Sequence, residues 1–465
     1  MEFSEKELSI LTALQKSKSR IVLLFKWRYP FFTQLENFQK PADCGLIGVF
    51  STALKGRLFV GYEKHFDLII WFEADFSAVK NAYCGEETIQ IKELDQIVGE
   101  VVKLIEPQKL RFLECEEATM DAACKTRQRF GIPGARPGDL DYLRDKSRLK
   151  DACRRHGIPT ARFAIVDFEK KEKLDETIKR IEMQVGKYPM FCKPTGGFGS
   201  GGGQMIRNSV DLHKFLVSED GKQTTYLVEE CVQTREFWAS VVLLQNGEWR
   251  PLNVLHCGNR TSRQNLDDGQ WMSADLQCQS LGQPIPFIAF KFEKAEQHEF
   301  PSMSKFVDLV IRTLKPPVPH VFCVQGFQLT PGKNDYLFTE CGYRLNGARG
   351  CGISYKAAGI SQETAFLLAY MDPNYDPVPD PVHRTTTASI WYPSRKGTLQ
   401  SHSQPSTVNF QSKIRFFWYL PVGSKLNVAT SYNDFVAFVE VEHENQKVME
   451  KELKWLMENW TLDIV

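Results

Sequence analysis

The sequence lacks long hydrophobic runs and an excess of charge of one sign, and each absence excludes a class of protein. No stretch approaches the roughly 18 apolar residues that a membrane helix needs, and the best candidate, Ile21–Phe25, is followed at once by Lys26. The 58 basic and 57 acidic residues leave a formal net charge of +1, whereas proteins that bind nucleic acid usually carry a net basic field. We therefore expect neither a membrane partner nor a nucleic-acid partner.

Paired metal-binding and disulfide motifs are also missing. The 12 cysteines are scattered without a C-x-x-C pair, and the nine histidines form neither H-x-x-x-H nor H-E-x-x-H. Catalytic zinc is therefore not expected. The first residues are acidic and include no apolar signal segment, which favours a reduced, cytoplasmic protein.

The residues that are present indicate a globular protein of about three domains, since the chain has 465 residues of which 42% are hydrophobic. Buried-strand patterns occur at 19–27, 66–72 and 110–113, with helical spacing of apolar residues before the last of them. Strands that alternate with helices predict a parallel, doubly wound α/β unit over residues 1–138. The glycine- and proline-rich segment 131–138 reads as a connector.

Beyond residue 145 the pattern changes, because several strand-like segments between 161 and 339 follow one another without a long helix. This arrangement predicts an antiparallel component, and a fold that combines α/β and α+β parts. We expect a central domain over 139–372, with a subdomain at about 158–232. The proline-rich break near 375–382 separates it from a small α/β cap over 373–465.

The most distinctive local feature is a lysine followed by a glycine-rich segment. A predicted strand ends at Lys193, and six of the eight residues at 196–203 are glycine. Glycine lets backbone amides approach an anion, and lysine adds a positive charge for phosphate. The lysine precedes the glycines, so the segment is not a Walker loop. A plain flexible surface loop is the alternative interpretation.

Charged residues flank other predicted elements. Lys146 opens a helix after Asp145, and Glu229, Glu230 and Glu236 surround the junction of two strands. Carboxylates at such a junction could accept hydrogen bonds from an adenine amino group and from ribose hydroxyls. A solvated charge pair and a solvated acidic turn are the alternatives.

A further pair consists of Glu340 at a strand end and Arg344 four residues later. Glutamate is a hard ligand for Mg²⁺, and arginine can stabilise a phosphorylated intermediate. A surface ion pair is the alternative interpretation.

These motifs occur in the order D-K-helix-G-I-P, K-P-x-G-G-x-G-S-x-G, E-E-x-V-x-x-x-E and Y-L-F-T-E-x-x-x-R. This order resembles the ATP-grasp superfamily over about residues 110–372, and the C-terminal region looks like the third unit of amino-acid ligases such as carnosine synthase and bacterial L-amino-acid ligase. The resemblance implies a lid subdomain and a central antiparallel sheet that hold ATP between them. The implied nucleotide-binding residues are Lys146, Lys193, Gly199, Ser200, Gly201, Glu229, Glu230, Val232 and Glu236.

Within that set the resemblance implies different contacts. The two lysines would contact phosphates, the 199–201 loop would close over them, and Glu236 would bind ribose. Glu229, Glu230 and Val232 match the adenine-side strand and hinge. Glu340 matches a metal ligand, and Arg344 matches the arginine that acts at the reaction centre.

The resemblance further implies an ATP-dependent ligase that joins a carboxylate to an amine through an acyl phosphate, with Mg²⁺ or Mn²⁺, on an amino acid or small peptide. A homodimer is possible. Gly326 and Gly342 occupy positions where the superfamily usually has metal ligands, although Gln325, Gln328 or Asn346 could supply oxygens. The missing carboxylates motivate an alternative: a catalytically weakened ATP-binding protein with a regulatory or scaffolding role.

The substrates are not identified by the sequence. The segment 259–263 carries two arginines that could meet a substrate carboxylate. An ordinary solvated loop is the alternative interpretation of that segment.

Overall fold

A computed structural model gives the architecture of the chain. It describes residues 3–73, 92–170, 172–196, 202–219, 224–232, 234–257, 284–347, 349–380, 386–405, 408–429 and 434–465.

The N-terminal unit is built on a four-stranded parallel sheet. Its strands are β1 (Arg20–Lys26), β2 (Cys44–Ser51), β3 (Leu68–Phe72) and β4 (Leu110–Glu114). The strand order is β3-β2-β1-β4, and each neighbouring pair is parallel. Its helices are α1 (Glu5–Ser17), α2 (Lys92–Val102) and α3 (Met120–Phe130). The predicted strands and the predicted parallel sheet are confirmed here, and β2 is an additional strand that sequence analysis missed.

A second sheet forms the predicted lid. Its strands are β5 (Phe163–Asp167), β6 (Met190–Pro194), β7 (Gln204–Ile206) and β8 (Thr225–Glu230). The order is β5-β8-β6-β7 with antiparallel pairing throughout. Two helices, α6 (Leu174–Val185) and α7 (Ser209–Glu219), close one face, because their apolar side chains share a buried core with the strands.

The third sheet is large and antiparallel. Its strands are β9 (Arg235–Leu243), β10 (Trp249–Cys257), β11 (Ile285–Lys291), β12 (His320–Gln328), β13 (Tyr336–Gly342), β14 (Thr386–Pro393), β16 (Lys413–Trp418) and β18 (Phe435–His443). Their order is β13-β12-β9-β10-β11-β14-β18-β16, and every neighbouring pair is antiparallel. The predicted antiparallel component is confirmed. A short ribbon pairs β15 (Gly397–Thr398) with β17 (Lys425–Leu426).

The C-terminal region supplies three strands of this sheet, β14, β16 and β18. Ile390 and Val439 from that region lie in the same apolar core as Phe237 and Val324. Residues 373–465 are thus joined to the central sheet by hydrogen bonds and by packing. The boundaries at 138 and 372 stay predictions.

The other helices are α4 (Asp141–Arg144), α5 (Lys146–Arg155), α8 (Phe292–His298), α9 (Met303–Leu314), α10 (Gly350–Ala358), α11 (Gln362–Met371) and α12 (Gln446–Asn459). Helix α9 is amphipathic and turns its apolar side, which includes Phe306 and Val310, toward the core of the large sheet. Among the described residues, no helix combines the length and the apolar character that crossing a membrane would take.

Candidate active site

A small cleft lies where the lid meets the large sheet. Its walls come from β6, β8 and α5, from the segment after β8, and from β12 and β13. The lining residues are Lys150, Ala161, Phe191, Glu229, Glu230, Cys231, Val232, Phe327 and Thr339. Phe191 and Phe327 are aromatic residues on two different sheets, and the lining also includes the charged residues Lys150, Glu229 and Glu230. A pocket of mixed apolar and charged lining at a junction between subdomains is a common setting for small ligands.

Two lysines hold one carboxylate in this cleft. The Nζ atom of Lys150 lies 2.5 Å from one carboxylate oxygen of Glu229, and Nζ of Lys193 lies 2.8 Å from the other. The side chains are 1% exposed for Lys150, 7% for Glu229 and 11% for Lys193. Three ionisable groups are therefore removed from water together, and each oxygen of the carboxylate has its own cation.

Burial and pairing have opposite effects on the pKa of Glu229. Burial raises it, but the positive charges of Lys150 and Lys193 outweigh burial and hold the pKa at about 2, compared with an ordinary 4.5. Burial lowers the pKa of Lys150, and Glu229 opposes that change. The carboxylate consequently stays ionised at neutral pH.

Helix α5 carries Lys146 and Lys150, and the cap at its start fixes where both residues lie. Asp145 caps the helix: its carboxylate accepts hydrogen bonds from the backbone N–H groups of Ser147 and Arg148. Lys146 occupies the first helical position, and its backbone N–H donates to the Thr195 carbonyl at 2.9 Å. Lys150 follows one turn later, on the same side of the helix. The start of α5 is thereby fixed to the chain that precedes the glycine-rich segment.

The segment between β8 and β9 forms part of the wall of the cleft. The Glu230 backbone N–H donates to the Arg162 carbonyl at 2.9 Å, and the Arg162 Nε–H donates to the Glu230 carboxylate at 3.1 Å. Val232 lines the cleft. Glu236, on β9, is buried and accepts a hydrogen bond from the Trp238 indole N–H at 3.1 Å. Glu230 and Val232 thus border the cleft, and Glu236 lies on β9, the next strand along the chain.

Glu340 lies on β13, directly opposite Gln325 of β12. The next β12 residue, Gly326, pairs with Phe338 instead, because the register shifts between Gln325 and Gly326. A Cβ atom at 326 would lie 2.3 Å from the Leu337 carbonyl oxygen. The position is therefore closed to any side chain by the neighbouring backbone, and Gln325 is the β12 side chain nearest in register to Glu340.

Gly342 differs from Gly326, since a Cβ there would meet nothing nearer than 3.7 Å. Two other predicted oxygen donors are used elsewhere: the Gln328 amide oxygen accepts from the Arg235 Nη1–H at 3.5 Å, and the Asn346 amide oxygen accepts from the Ser240 hydroxyl. Within the described residues, no group of three or more His, Cys, Asp or Glu side chains is arranged to hold a metal ion.

Arg344 follows β13 and reaches back to the N-terminal unit. Its Nε–H donates to the Glu117 carboxylate at 2.7 Å, and its Nη1–H donates to the Leu345 carbonyl at 3.0 Å. Burial lowers the pKa of this guanidinium, but the Glu117 carboxylate outweighs burial, and the net pKa is raised. The predicted catalytic arginine is therefore charged and held by a carboxylate from another unit.

The structure brings some of the predicted residues together and leaves others aside. Glu229, Glu230 and Val232 line one cleft, and Lys193 forms an ion pair with Glu229. Gly199, Ser200 and Gly201, and the arginines of 259–263, lie outside the described residues.

Sequence analysis missed Lys150, which lines the cleft beside the predicted residues. Its signal in the sequence is a lysine between Leu149 and Cys153, on the apolar side of an amphipathic helix, four residues after Lys146. Such a lysine must find a buried partner.

Part of the chain matches a family of known proteins. Residues 152–268, about a quarter of the chain, match the model of the D-ala D-ala ligase C-terminus. No curated protein matches the chain.

Solved structures match almost the whole chain at low sequence identity. The L-amino acid ligase of Bacillus licheniformis is 13% identical, with 95% of this chain and 98% of that chain covered and a TM-score of 0.61. The biotin carboxylase domain of 2-oxoglutarate carboxylase from Hydrogenobacter thermophilus, solved with MgADP and bicarbonate, is 14% identical, with 96% and 91% covered and a TM-score of 0.59. The carboxyaminoimidazole ribonucleotide synthase of Aspergillus clavatus, solved with ATP, is 14% identical, with 95% and 98% covered and a TM-score of 0.56.

This chain thus shares its overall fold with these proteins, two of which were solved with MgADP or with ATP. The chain has the ATP-grasp fold, and the predicted fold class and superfamily resemblance are confirmed.

Proposed function

We propose that this protein is an ATP-dependent ligase that joins a carboxylate to an amine through an acyl-phosphate intermediate, on an amino acid or small peptide. The observation that carries the proposal is the cleft itself. Lys193, which precedes the glycine-rich segment, forms an ion pair with Glu229, and Glu229 lines the cleft together with Glu230 and Val232, which supports the proposal. A nucleotide with its adenine against the hinge and its phosphates toward Lys193 and Lys146 would lie between the lid and the large sheet.

The proposed chemistry needs no nucleophilic side chain. A carboxylate oxygen of one substrate attacks the γ-phosphorus of ATP, and ADP leaves. The amine of the second substrate then attacks the acyl carbon, loses a proton to solvent, and inorganic phosphate leaves. Catalysis of this kind depends on positioning and charge neutralisation, which Lys146, Lys193 and Arg344 would provide.

The residues near Glu340 are suited to a metal ion held mainly by the nucleotide. Mg²⁺ usually keeps several waters and binds through one or two carboxylates plus substrate phosphates. Glu340, with the Gln325 amide opposite it in the strand pair, would hold Mg²⁺ or Mn²⁺ in that way. When bound, the ion would neutralise charge on the phosphates.

A homodimer and a cytoplasmic location belong to the same proposal. The biotin carboxylase domain of 2-oxoglutarate carboxylase is described as a dimer, and the dimer proposal for this chain rests on that likeness of fold.

The direct test is ADP release by the purified protein with Mg²⁺, ATP and pools of amino acids and small carboxylates. We expect release above the ATP-only rate with at least one pool, and a condensed product by mass spectrometry. ATP binding without ADP release in any pool would contradict the ligase and support the alternative of an ATP-binding regulatory or scaffolding protein.

A second test addresses the nucleotide site. Lys193→Ala should weaken MgATP binding by about tenfold or more, since a charge-assisted contact contributes roughly 1.5–3 kcal/mol. Lys179→Ala, which removes an exposed lysine of the same lid, should bind like the wild type in the same calorimetric titration. Equal affinity of wild type and Lys193→Ala would show that the nucleotide-binding assignment is wrong.

A further inference from the structure

Lys150 and Lys193 hold Glu229 in different ways. Lys150 is the more deeply buried of the two and comes from α5. Lys193 is less buried and lies at the end of β6, three residues before the first glycine of the 196–203 segment. Lys150 is therefore a fixed partner of the carboxylate, whereas Lys193 is next to the part of the chain that would meet the phosphates.

If a buried carboxylate had a single lysine partner, moving that lysine away would be energetically unfavourable. Removing one partner of a buried ion pair leaves an uncompensated charge and is strongly unfavourable. Glu229 has a second lysine on its other oxygen, at 2.5 Å. If Lys193 turned toward a phosphate, the carboxylate would still be paired with Lys150.

We infer that Lys150 is a positioning residue, which keeps Glu229 neutralised so that Lys193 is available to the nucleotide. The inference rests on the proposed nucleotide site and assigns Lys150 a role that acts through Glu229. It also gives Glu229 a different task from contact with adenine, because both of its oxygens are occupied by lysines.

The first experiment measures the coupling of these three residues without any nucleotide. Only the neutral amine of a lysine reacts with an acylating reagent, so the labelling rate of Lys193 at fixed pH reports its pKa. The rate falls about tenfold when the pKa rises by one. We expect slower labelling in Lys150→Met, where Glu229 acts on Lys193 alone, and faster labelling in Glu229→Gln. The rates are read by peptide mass spectrometry. An equal labelling rate of Lys193 in the wild type, Lys150→Met and Glu229→Gln would overturn the inference.

The second experiment measures the affinity of each variant for a non-hydrolysable MgATP analogue. Lys150→Met should lose about tenfold in affinity, and Lys150→Met/Glu229→Gln should recover to within about threefold of wild type, because Lys193 is then no longer held. Lys150→Arg, which keeps the charge, should bind like the wild type. Lys150→Gln serves as a second charge-removing variant, so that misfolding of one variant does not decide the result.

Two other roles of Lys150 give different results. If Lys150 contacts the nucleotide directly, adding Glu229→Gln to Lys150→Met does not restore the affinity for the analogue. If Lys150 is only structural, thermal stability falls while analogue affinity stays constant. Either result contradicts the inference. Lys179→Met, the exposed lid control, should match the wild type in both experiments.

The inference and the proposed function can also fail separately. A wild type that does not bind the analogue, with the predicted labelling order intact, would overturn the proposed function but leave the charge coupling established.

Discussion

At the scale of the residue, Glu229 connects three parts of the fold. It lies on β8 of the lid, it binds Lys193 on the neighbouring strand β6, and it binds Lys150 on α5. A buried carboxylate is stable only when its charge is compensated. The ion pair with Lys150 therefore also fixes the position of α5 relative to the lid sheet.

The stability of the protein should depend on the ionisation of Glu229. Its pKa is about 2 in the folded protein against an ordinary 4.5, so its contribution is complete above about pH 4.5 and is lost as the pH falls toward 2. The difference corresponds to at most roughly 3 kcal/mol. We expect the urea midpoint of the wild type to fall more steeply than that of Glu229→Gln between pH 5 and pH 2.

The control for this prediction is Glu176→Gln, which removes a carboxylate that is 62% exposed on the same lid. Its midpoint should follow the wild type across the pH range. Parallel curves for wild type and Glu229→Gln would contradict a lowered pKa for Glu229.

At the scale of the element, the pairing of β12 with β13 determines what can stand near Glu340. The shift of register places Gln325 opposite Glu340 and brings the Leu337 backbone against Gly326. The absence of a carboxylate at 326 is therefore a property of the strand pair. Restoring an acid there would require the strands to move apart.

Gly326→Ala should consequently destabilise the protein. The added Cβ would lie 2.3 Å from a backbone oxygen and 2.9 Å from the Phe237 ring, and overpacking of this kind costs about 1–3 kcal/mol. Chemical denaturation would measure the loss. Gly99→Ala is the control, because its Cβ meets only the Phe130 ring at 3.4 Å and alanine favours a helix. The prediction fails if Gly326→Ala is as stable as the control.

The contact between Arg344 and Glu117 predicts an effect on turnover. Glu117→Gln would keep a hydrogen-bond acceptor but remove the charge that holds the guanidinium at 2.7 Å. If Arg344 acts at the reaction centre, kcat should fall by about tenfold or more while MgATP affinity stays near the wild-type value. Steady-state kinetics and calorimetry distinguish the two quantities, and an unchanged kcat would argue against this role for Arg344.

Elements with a strong local pattern could be predicted from the sequence, but contacts between elements could not. The apolar runs of β1 and β4 identified those strands. Strand β2 was missed because it contains Gly45 and Gly48 and is buried on both faces, which removes the alternation of polar and apolar residues. Lys150 was missed because its partner is supplied by a distant strand.

At the scale of the whole molecule, the large sheet joins the central and C-terminal regions. β14 lies between β11 and β18, and its side chains share a core with β9 and β12. Sequence analysis predicted a small C-terminal α/β cap, but strand order in a sheet depends on contacts that are distant in sequence. The proline-rich break at 375–382 therefore separates segments of one continuous sheet.

A chain that ends at residue 372 should not fold independently. β11 would lose its neighbour β14, and buried residues of β11 such as Ile288 would become accessible to water. We expect the truncated protein in the insoluble fraction, and recovery of soluble protein when residues 373–465 are co-expressed. A soluble 1–372 chain with a cooperative unfolding transition would contradict this expectation.

The position of β14 also has a consequence for synthesis on the ribosome. The end of β11 at Lys291 and the end of β14 at Pro393 are about 100 residues apart, and at roughly 5–20 residues per second the translation of this distance takes about 5 to 20 seconds. Throughout that interval β11 lacks the strand that later covers its edge. We expect the nascent chain to depend on chaperones at this stage, and slow codons between β11 and β14 to lower the yield of native protein.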